Sequence, residues 1–219
     1  METDEWIKRW AEGRIGFHRP TVQTWLVDHA AKFLPRGDEC VLVPLCGKSV
    51  DLVWLEQRGH PVVGVELAEQ ACRDFLREQK RVAAEHAAPP FTVFSSGRIE
   101  LLCGDFFALA PDRHGDFPAI LDRAALIALP PARRDDYARL ILTLLRPGGR
   151  MLLVGVEYDE ARMAGPPFSV ARDEVARRYG AACTIEALGA RDVVPSEPVW
   201  KERGLDAMTE YALLLTKAR

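Results

Sequence analysis

The sequence predicts an α/β fold, a mostly parallel sheet sandwiched between layers of helices, and three observations carry the prediction. The stretch Val41–Leu67, VLVPLCGKSVDLVWLEQRGHPVVGVEL, is a strand, helix, strand unit whose apolar runs are nearly continuous, as in parallel strands covered on both faces. Apolar runs and helical periods go on alternating to about Tyr179. Beyond it, Cys183–Leu188 and Met208–Thr216 are strand-like with no helix between them, which predicts a closing antiparallel hairpin. The 219 residues suit one domain, with 1–37 as a helical cover and 38–219 as the α/β core.

In chain order, Trp6 and Trp10 in WIKRWAEGRIGFHRP fall on one face of a short helix ended by Gly13. A link carrying Phe17, His18 and Pro20 follows. Thr21 suits the cap of a second helix, with Val22, Trp25, Leu26 and Phe33 inward and Pro35 and Gly37 closing it. An indole pair ahead of an α/β core fits two readings, a helix stapled over a sheet edge or a lid over a ligand. His18 has no second histidine or carboxylate at a diagnostic spacing and reads as structural.

In the central unit Ser49 is placed to cap a helix, Asp51 suits its positive end, and Gly59 stops it. Ala, Glu, Gln and Arg then favour a helix over about 68–84, stopped by Pro89 and Pro90. Phe91–Phe94 and Ile99–Cys103 read as strands around the turn SSGR, and Ala119–Leu121 as another. Tyr137, Leu140, Ile141, Leu144 and Leu145 follow a helical period ended by RPGG, and MLLVGVEY is a buried strand. Pro166 and Pro167 punctuate a loop, Ser169–Tyr179 forms a helix whose charges read as a solvated face, and DVVPSEPVWKERGLD reads as a loop.

Composition excludes several classes. Lys plus Arg number 29 against 32 Asp plus Glu, so there is no basic field to recruit nucleic acid or anionic lipid. The chain has no apolar stretch long enough to span a bilayer and no signal-peptide pattern, so a cytoplasmic protein is expected. Cys40, Cys46, Cys72, Cys103 and Cys183 have no metal-ligand spacing; they read as thiols of a reducing compartment, and no metal is expected. No heptad or apolar stripe argues for an oligomer.

Ligands of an open parallel sheet lie beyond the carboxyl ends of its strands. Gly47 after the first strand lets a ligand approach the backbone, and Glu66 ends the second strand roughly 20 residues on, where an acid accepts from ribose hydroxyls. PLCGKS is neither G-x-G-x-x-G nor a Walker loop, so this stretch also fits an ordinary βαβ connection. Asp105 with Phe106, and Asp122 with Arg123, stand at two further strand ends. Asp105 also reads as a turn cap, and the Asp122 and Arg123 pair as a surface ion pair.

The segments WIKRWAEGRIGFH, VPLCGKSVDLVWLEQRGHPVVGVEL, LDRAAL and GPPFSV, in this order across almost the whole chain, resemble the thiopurine S-methyltransferase family. The resemblance implies a Rossmann-like three-layer methyltransferase sandwich, a mostly parallel seven-stranded sheet with an antiparallel C-terminal strand, and an N-terminal helical lid. It implies S-adenosyl-L-methionine as methyl donor, S-adenosyl-L-homocysteine as product, a small thiol or chalcogen substrate and a monomer. By the same resemblance Trp6, Trp10 and Phe17 line the donor site, and Leu45, Gly47 and Glu66 contact the donor. Asp105 and Phe106 flank its adenine, and Arg123 borders the donor and faces the reaction centre as the catalytic residue. A second arginine of some members falls in PSEPVWKERGLD, where Lys201 and Arg203 stand. The implied reaction is methyl transfer to aromatic or heterocyclic thiols. Two alternatives are methylation of small selenium or tellurium compounds and a non-catalytic nucleotide-binding module.

Overall fold

The computed structural model describes residues 3–219. Helices α1 (Thr3–Ala11) and α2 (Thr24–Phe33) precede β1 (Val41–Pro44), α3 (Asp51–Gln57), β2 (Val62–Glu66) and α4 (Glu69–Glu78). Next come β3 (Ala84–Ala88), β4 (Phe91–Ser96), β5 (Ile99–Cys103), α5 (Pro111–His114) and β6 (Phe117–Arg123). The chain goes on through α6 (Pro131–Leu144), β7 (Leu145–Glu157), α7 (Arg172–Tyr179), β8 (Cys183–Asp192), α8 (Pro198–Glu202) and β9 (Thr209–Lys217).

The nine strands among the described residues form one sheet in the order β3-β4-β5-β2-β1-β6-β7-β9-β8. The central run β5-β2-β1-β6-β7 is parallel. Hairpin-like antiparallel pairs close both sides, β9 lying between β7 and β8 on one and β4 with β3 on the other. The Rossmann-like α/β sandwich is therefore as expected, and the count of seven strands is corrected to nine. The extra edge comes from Ala84–Ala88, whose first residue was expected to continue a helix. That helix stops at Glu78, Lys80 turns the chain at φ +52°, and the alanine-rich segment pairs with β4 from Ala84 opposite Ser95 to Ala88 opposite Phe91. A free neighbouring edge overrides the helix propensity of alanine.

Alternation along the strands sends side chains into two cores. Leu42, Val65, Leu102 and Ile120 meet Tyr137 and Ile141 of α6 and Val175 and Tyr179 of α7 on one face. Val41, Val43, Val62 and Leu101 meet α2, α3 and α4 through Phe33, Leu55 and Phe75 on the other.

Several local expectations shift. Gln23, not Thr21, caps α2, its side-chain oxygen accepting the Trp25 N–H. Val50 occupies the cap of α3, although the Ser49 hydroxyl still accepts the Asp51 N–H at 3.2 Å. The RPGG segment belongs to β7 rather than to a separate turn. The outer charges of α7 are not all solvated: Glu174 takes Nη1 of Arg134, a residue only 1% exposed, and Nη1 of Arg178 at 2.8 and 2.7 Å. The predicted loop before β9 contains α8.

Candidate active site

The strand order reverses direction at β1, which has β2 on one side and β6 on the other. Helix α3 leaves β1 for one face of the sheet and α6 follows β6 onto the other. The crevice beyond the ends of β1 and β6 is the place where such sheets hold ligands. Backbone strain gathers there. Leu45, just past β1, and Ala124, just past β6, have φ of 47° and 63°, and Gly47 has φ 55°. A left-handed non-glycine residue costs about 1–3 kcal/mol and marks a site the surroundings enforce.

Glu66 ends β2 beside this crevice and is 7% exposed. One carboxylate oxygen accepts the Gly47 N–H and the other the Ala68 N–H, each at 2.8 Å. Burial pushes its pKa above the usual carboxylate range, against the pull of these amides. Each oxygen keeps a further lone pair, so two vicinal hydroxyls such as those of a ribose fit the acceptor pair. Gly47 lies under an indole: a Cβ there would stand 3.2 Å from Cζ2 of Trp10.

Trp10 is 6% exposed and packs on Ala68 and Ala71 at the start of α4. Phe17 meets Trp6 and Trp10 edge-on, at centroid distances of 5.3 and 5.5 Å. The three aromatic rings are thus one cluster standing on the β1 loop, and α1 is packed on α4. Lys48 is buried and paired with Glu78 at 2.7 Å. Burial, aided by the Lys48 ammonium, lowers the pKa of His18.

Arg123 ends β6. Its Nη1 donates to the Ser49 hydroxyl at 3.4 Å and lies 3.7 Å from a carboxylate oxygen of Asp51. Asp51 is fully buried and accepts the Gln23 N–H at 2.8 Å and the Ser49 hydroxyl at 3.0 Å. The surface ion pair read from Asp122 and Arg123 does not form: consecutive strand residues point to opposite faces. Asp122 is buried, accepting the Leu126 N–H and the Tyr137 hydroxyl, and burial raises its pKa to about 6. Ser49 and Asp51 as anchors of Arg123 were not singled out from the sequence; the signal was PLCGKSVD itself, which sets both within reach of the crevice.

At the end of β5, the exposed Asp105 caps a short 3-10 turn by accepting the Phe107 N–H at 2.9 Å. The Phe106 ring is buried against Tyr137, at a centroid distance of 5.3 Å, so what it offers the crevice is backbone rather than ring. The Gly104 N–H donates to the Glu66 carbonyl at 2.9 Å, holding this end of β5 to β2. Across the sheet, Arg203 donates to the Pro166 carbonyl at 3.2 Å and lies over the Trp200 ring, whose N–H donates to Glu197. Arg19 pairs with Glu197, so the link between α1 and α2 is joined to the start of α8. Lys201 instead borders a cavity with Pro195, Pro198 and Asp206.

The family model described as Thiopurine S-methyltransferase (TPMT) matches residues 1–218. A thiopurine S-methyltransferase of Marinobacter nauticus is 43% identical over 218 residues, covering 99% of this chain and 100% of its own. One from Pseudomonas fluorescens strain SBW25 is 46% identical over 217 residues, 98% and 100% of the two chains. Among solved structures, the fold is similar to Burkholderia thailandensis 1,6-didemethyltoxoflavin-N1-methyltransferase with bound 1,6-didemethyltoxoflavin and S-adenosylhomocysteine. The TM-score is 0.68 at 18% identity, over 99% of this chain and 87% of that one. TehB from Haemophilus influenzae aligns with TM-score 0.62 at 16% identity, over 92% and 64% of the chains.

Proposed function

The chain belongs to the thiopurine S-methyltransferase family, and on that premise we propose that it moves a methyl group from S-adenosylmethionine to the sulfur of an aromatic or heterocyclic thiol such as a thiopurine. The observation that carries this reading is the buried Glu66 carboxylate, held between two amides at the crevice where Arg123 also ends its strand.

S-adenosylmethionine supplies, when bound, a methyl on a sulfonium sulfur, whose transfer needs alignment more than activation. Glu66 accepts from the two ribose hydroxyls. Leu45 and Gly47 bring bare backbone to the donor, and Asp105 with the Phe106 backbone flanks the adenine. Trp6, Trp10 and Phe17, in the cover formed by residues 1–37, shut water out. An aromatic thiol is acidic and arrives largely as thiolate, so no strong general base is required. Arg123 holds that anion in line, and Ser49 and Asp51 keep the guanidinium from swinging away.

The five free cysteines suit a reducing, cytoplasmic setting, and we read the protein as a monomer acting on small molecules in detoxification. No helix among the described residues is long and apolar enough to cross a membrane. The test is transfer of a labelled methyl from S-adenosylmethionine to 6-mercaptopurine, with Glu66→Ala alongside. Glu66-dependent transfer is expected. Transfer only to selenium or tellurium compounds in the same panel would move the acceptor class. Donor binding without transfer to any soft nucleophile would leave a non-catalytic nucleotide module and refute the proposal.

A further inference from the structure

Residues 12–22 cross from α1 to α2 as a strap with only local turns. Apolar contacts hold it on both sides of Arg19: Ile15 and Phe17 pack at Trp10, and Val22 packs on the core under α2 and α3. Where the strap ends, the Gln23 N–H donates to one carboxylate oxygen of Asp51, and the other oxygen faces Arg123 at 3.7 Å. The strap therefore runs past the guanidinium at the end of β6. Among the described residues, a single hydrogen bond joins residues 12–22 to anything beyond themselves and α1: Nη2 of Arg19 donates to Glu197.

The far side of that bond is tied in as well. The same Glu197 oxygen, Oε2, accepts the Trp200 indole N–H at 2.8 Å. The Arg19 and Arg203 guanidinium groups lie 6.0 and 5.5 Å from the centre of that indole. Arg203 donates on to the Pro166 carbonyl at 3.2 Å. Close by in the same loop, the Phe168 N–H donates at 2.7 Å to the carbonyl of Ile127, in the turn that follows Arg123. Arg19 thus closes a circuit around the end of β6, made of the strap, α8, the 165–168 loop and that turn. The Arg19 and Glu197 side chains are 36% and 28% exposed, so water reaches the pair and parting it costs little.

We propose that Arg19 and Glu197 are a positioning pair for the acceptor half of the site. Joined, they draw the strap onto α8 and narrow the crevice around a thiol at Arg123; parted, they admit the thiol and release its methylated product. The kinetic consequence rests on the methyl-transfer reading of the site, whereas the hold on the strap does not. The Glu66 carboxylate and the Gly47 N–H bond each other without this pair, and the α1 indoles hold Phe17 whether or not it is joined. Donor binding should therefore be insensitive to it.

The test uses the full chain, Arg19→Met, Glu197→Gln and the double variant. It measures steady-state kinetics with 6-mercaptopurine, S-adenosylhomocysteine affinity by calorimetry, and hydrogen exchange of the strap amides. Glutamine leaves the Trp200 N–H an acceptor. Each single variant should raise the thiol KM about fivefold, the upper end for a partly exposed ion pair, with donor-site affinity within about twofold of wild type. The double variant should be no worse than either single one, because both remove the same bond. Strap amides should exchange faster in Arg19→Met. Arg14→Met, which loses only a bond to Glu12 inside the strap, should change neither KM nor exchange. Unchanged thiol KM in the single variants, or effects that multiply in the double one, would overturn the proposal. So would KM shifts of opposite sign, the mark of a plain field effect, since one variant removes a cation and the other an anion. Wild-type protein that methylates no thiol would instead refute the function, and strap exchange no faster in Arg19→Met would then overturn the positioning pair.

Discussion

Replacing Glu66 by glutamine separates the folding role of this side chain from its binding role. The carboxylate now accepts two backbone N–H groups at 2.8 Å, one per oxygen. Glutamine has one oxygen, so either the Gly47 or the Ala68 N–H is left facing an NH2 group. That loses one hydrogen bond to a charged group, about 1.5–3 kcal/mol. Against it, the neutral amide escapes the burial cost that already raises the Glu66 pKa more than the amides lower it. The two effects oppose, so the folding free energy of the empty protein should move by only about 1 kcal/mol. Binding has no such offset. A ribose hydroxyl loses its charged acceptor, and 1.5–3 kcal/mol corresponds to roughly 10- to 150-fold weaker S-adenosylhomocysteine binding. Calorimetric titration and urea unfolding of Glu66→Gln read the two numbers independently. Affinity within about twofold of wild type would refute the ribose assignment, since even a marginal hydrogen bond exceeds that.

Arg123→Ala should lower kcat about 100-fold or more while leaving S-adenosylhomocysteine affinity near wild type, read by steady-state kinetics at saturating thiol. Asp51→Ala strips the acceptor from the buried Gln23 N–H and the Ser49 hydroxyl, and should cost about 1–3 kcal/mol in urea unfolding. Asp51→Asn should restore much of that stability but not the turnover, because the negative partner of Arg123 is still missing. Asp122, with a pKa raised from 3.8 to about 6, lends stability that is complete below the unfolded value and is lost as pH rises through the folded one. Asp122→Asn can still accept the Leu126 N–H and donate to the Tyr137 oxygen. Its unfolding free energy should therefore lack the decline of about 1–3 kcal/mol that wild type shows between about pH 4 and pH 7.

The parallel centre of the sheet was legible because each of its strands is a short apolar run bounded by glycine, proline or a polar turn, and Val41–Leu67 carries two of them. The β3 edge was not: Ala84–Ala88 has the composition of a helix, and only the tertiary neighbour β4 decides otherwise. Glu66 and Gly47 could be read from the spacing of one βαβ unit. Arg123 needed the family resemblance, since its partners Ser49 and Asp51 lie more than 70 residues earlier and meet it only through the pairing of β1 with β6. Burial was the hardest quantity to foresee. Asp122 next to Arg123 looked like surface charge, yet it is buried, because consecutive residues of β6 point to opposite faces.

The place of β9 bears on how the protein is made. β8 leaves the ribosome first, yet it touches the sheet only through β9, which is inserted between it and β7. Until Thr209–Lys217 has emerged, β7 presents a bare edge and β8 has nothing to join. The long segment from Leu145 onward must wait, and a stalled ribosome or a premature stop would leave that apolar edge open to other nascent chains. Completion of the sheet thus waits until Thr209–Lys217 has left the ribosome.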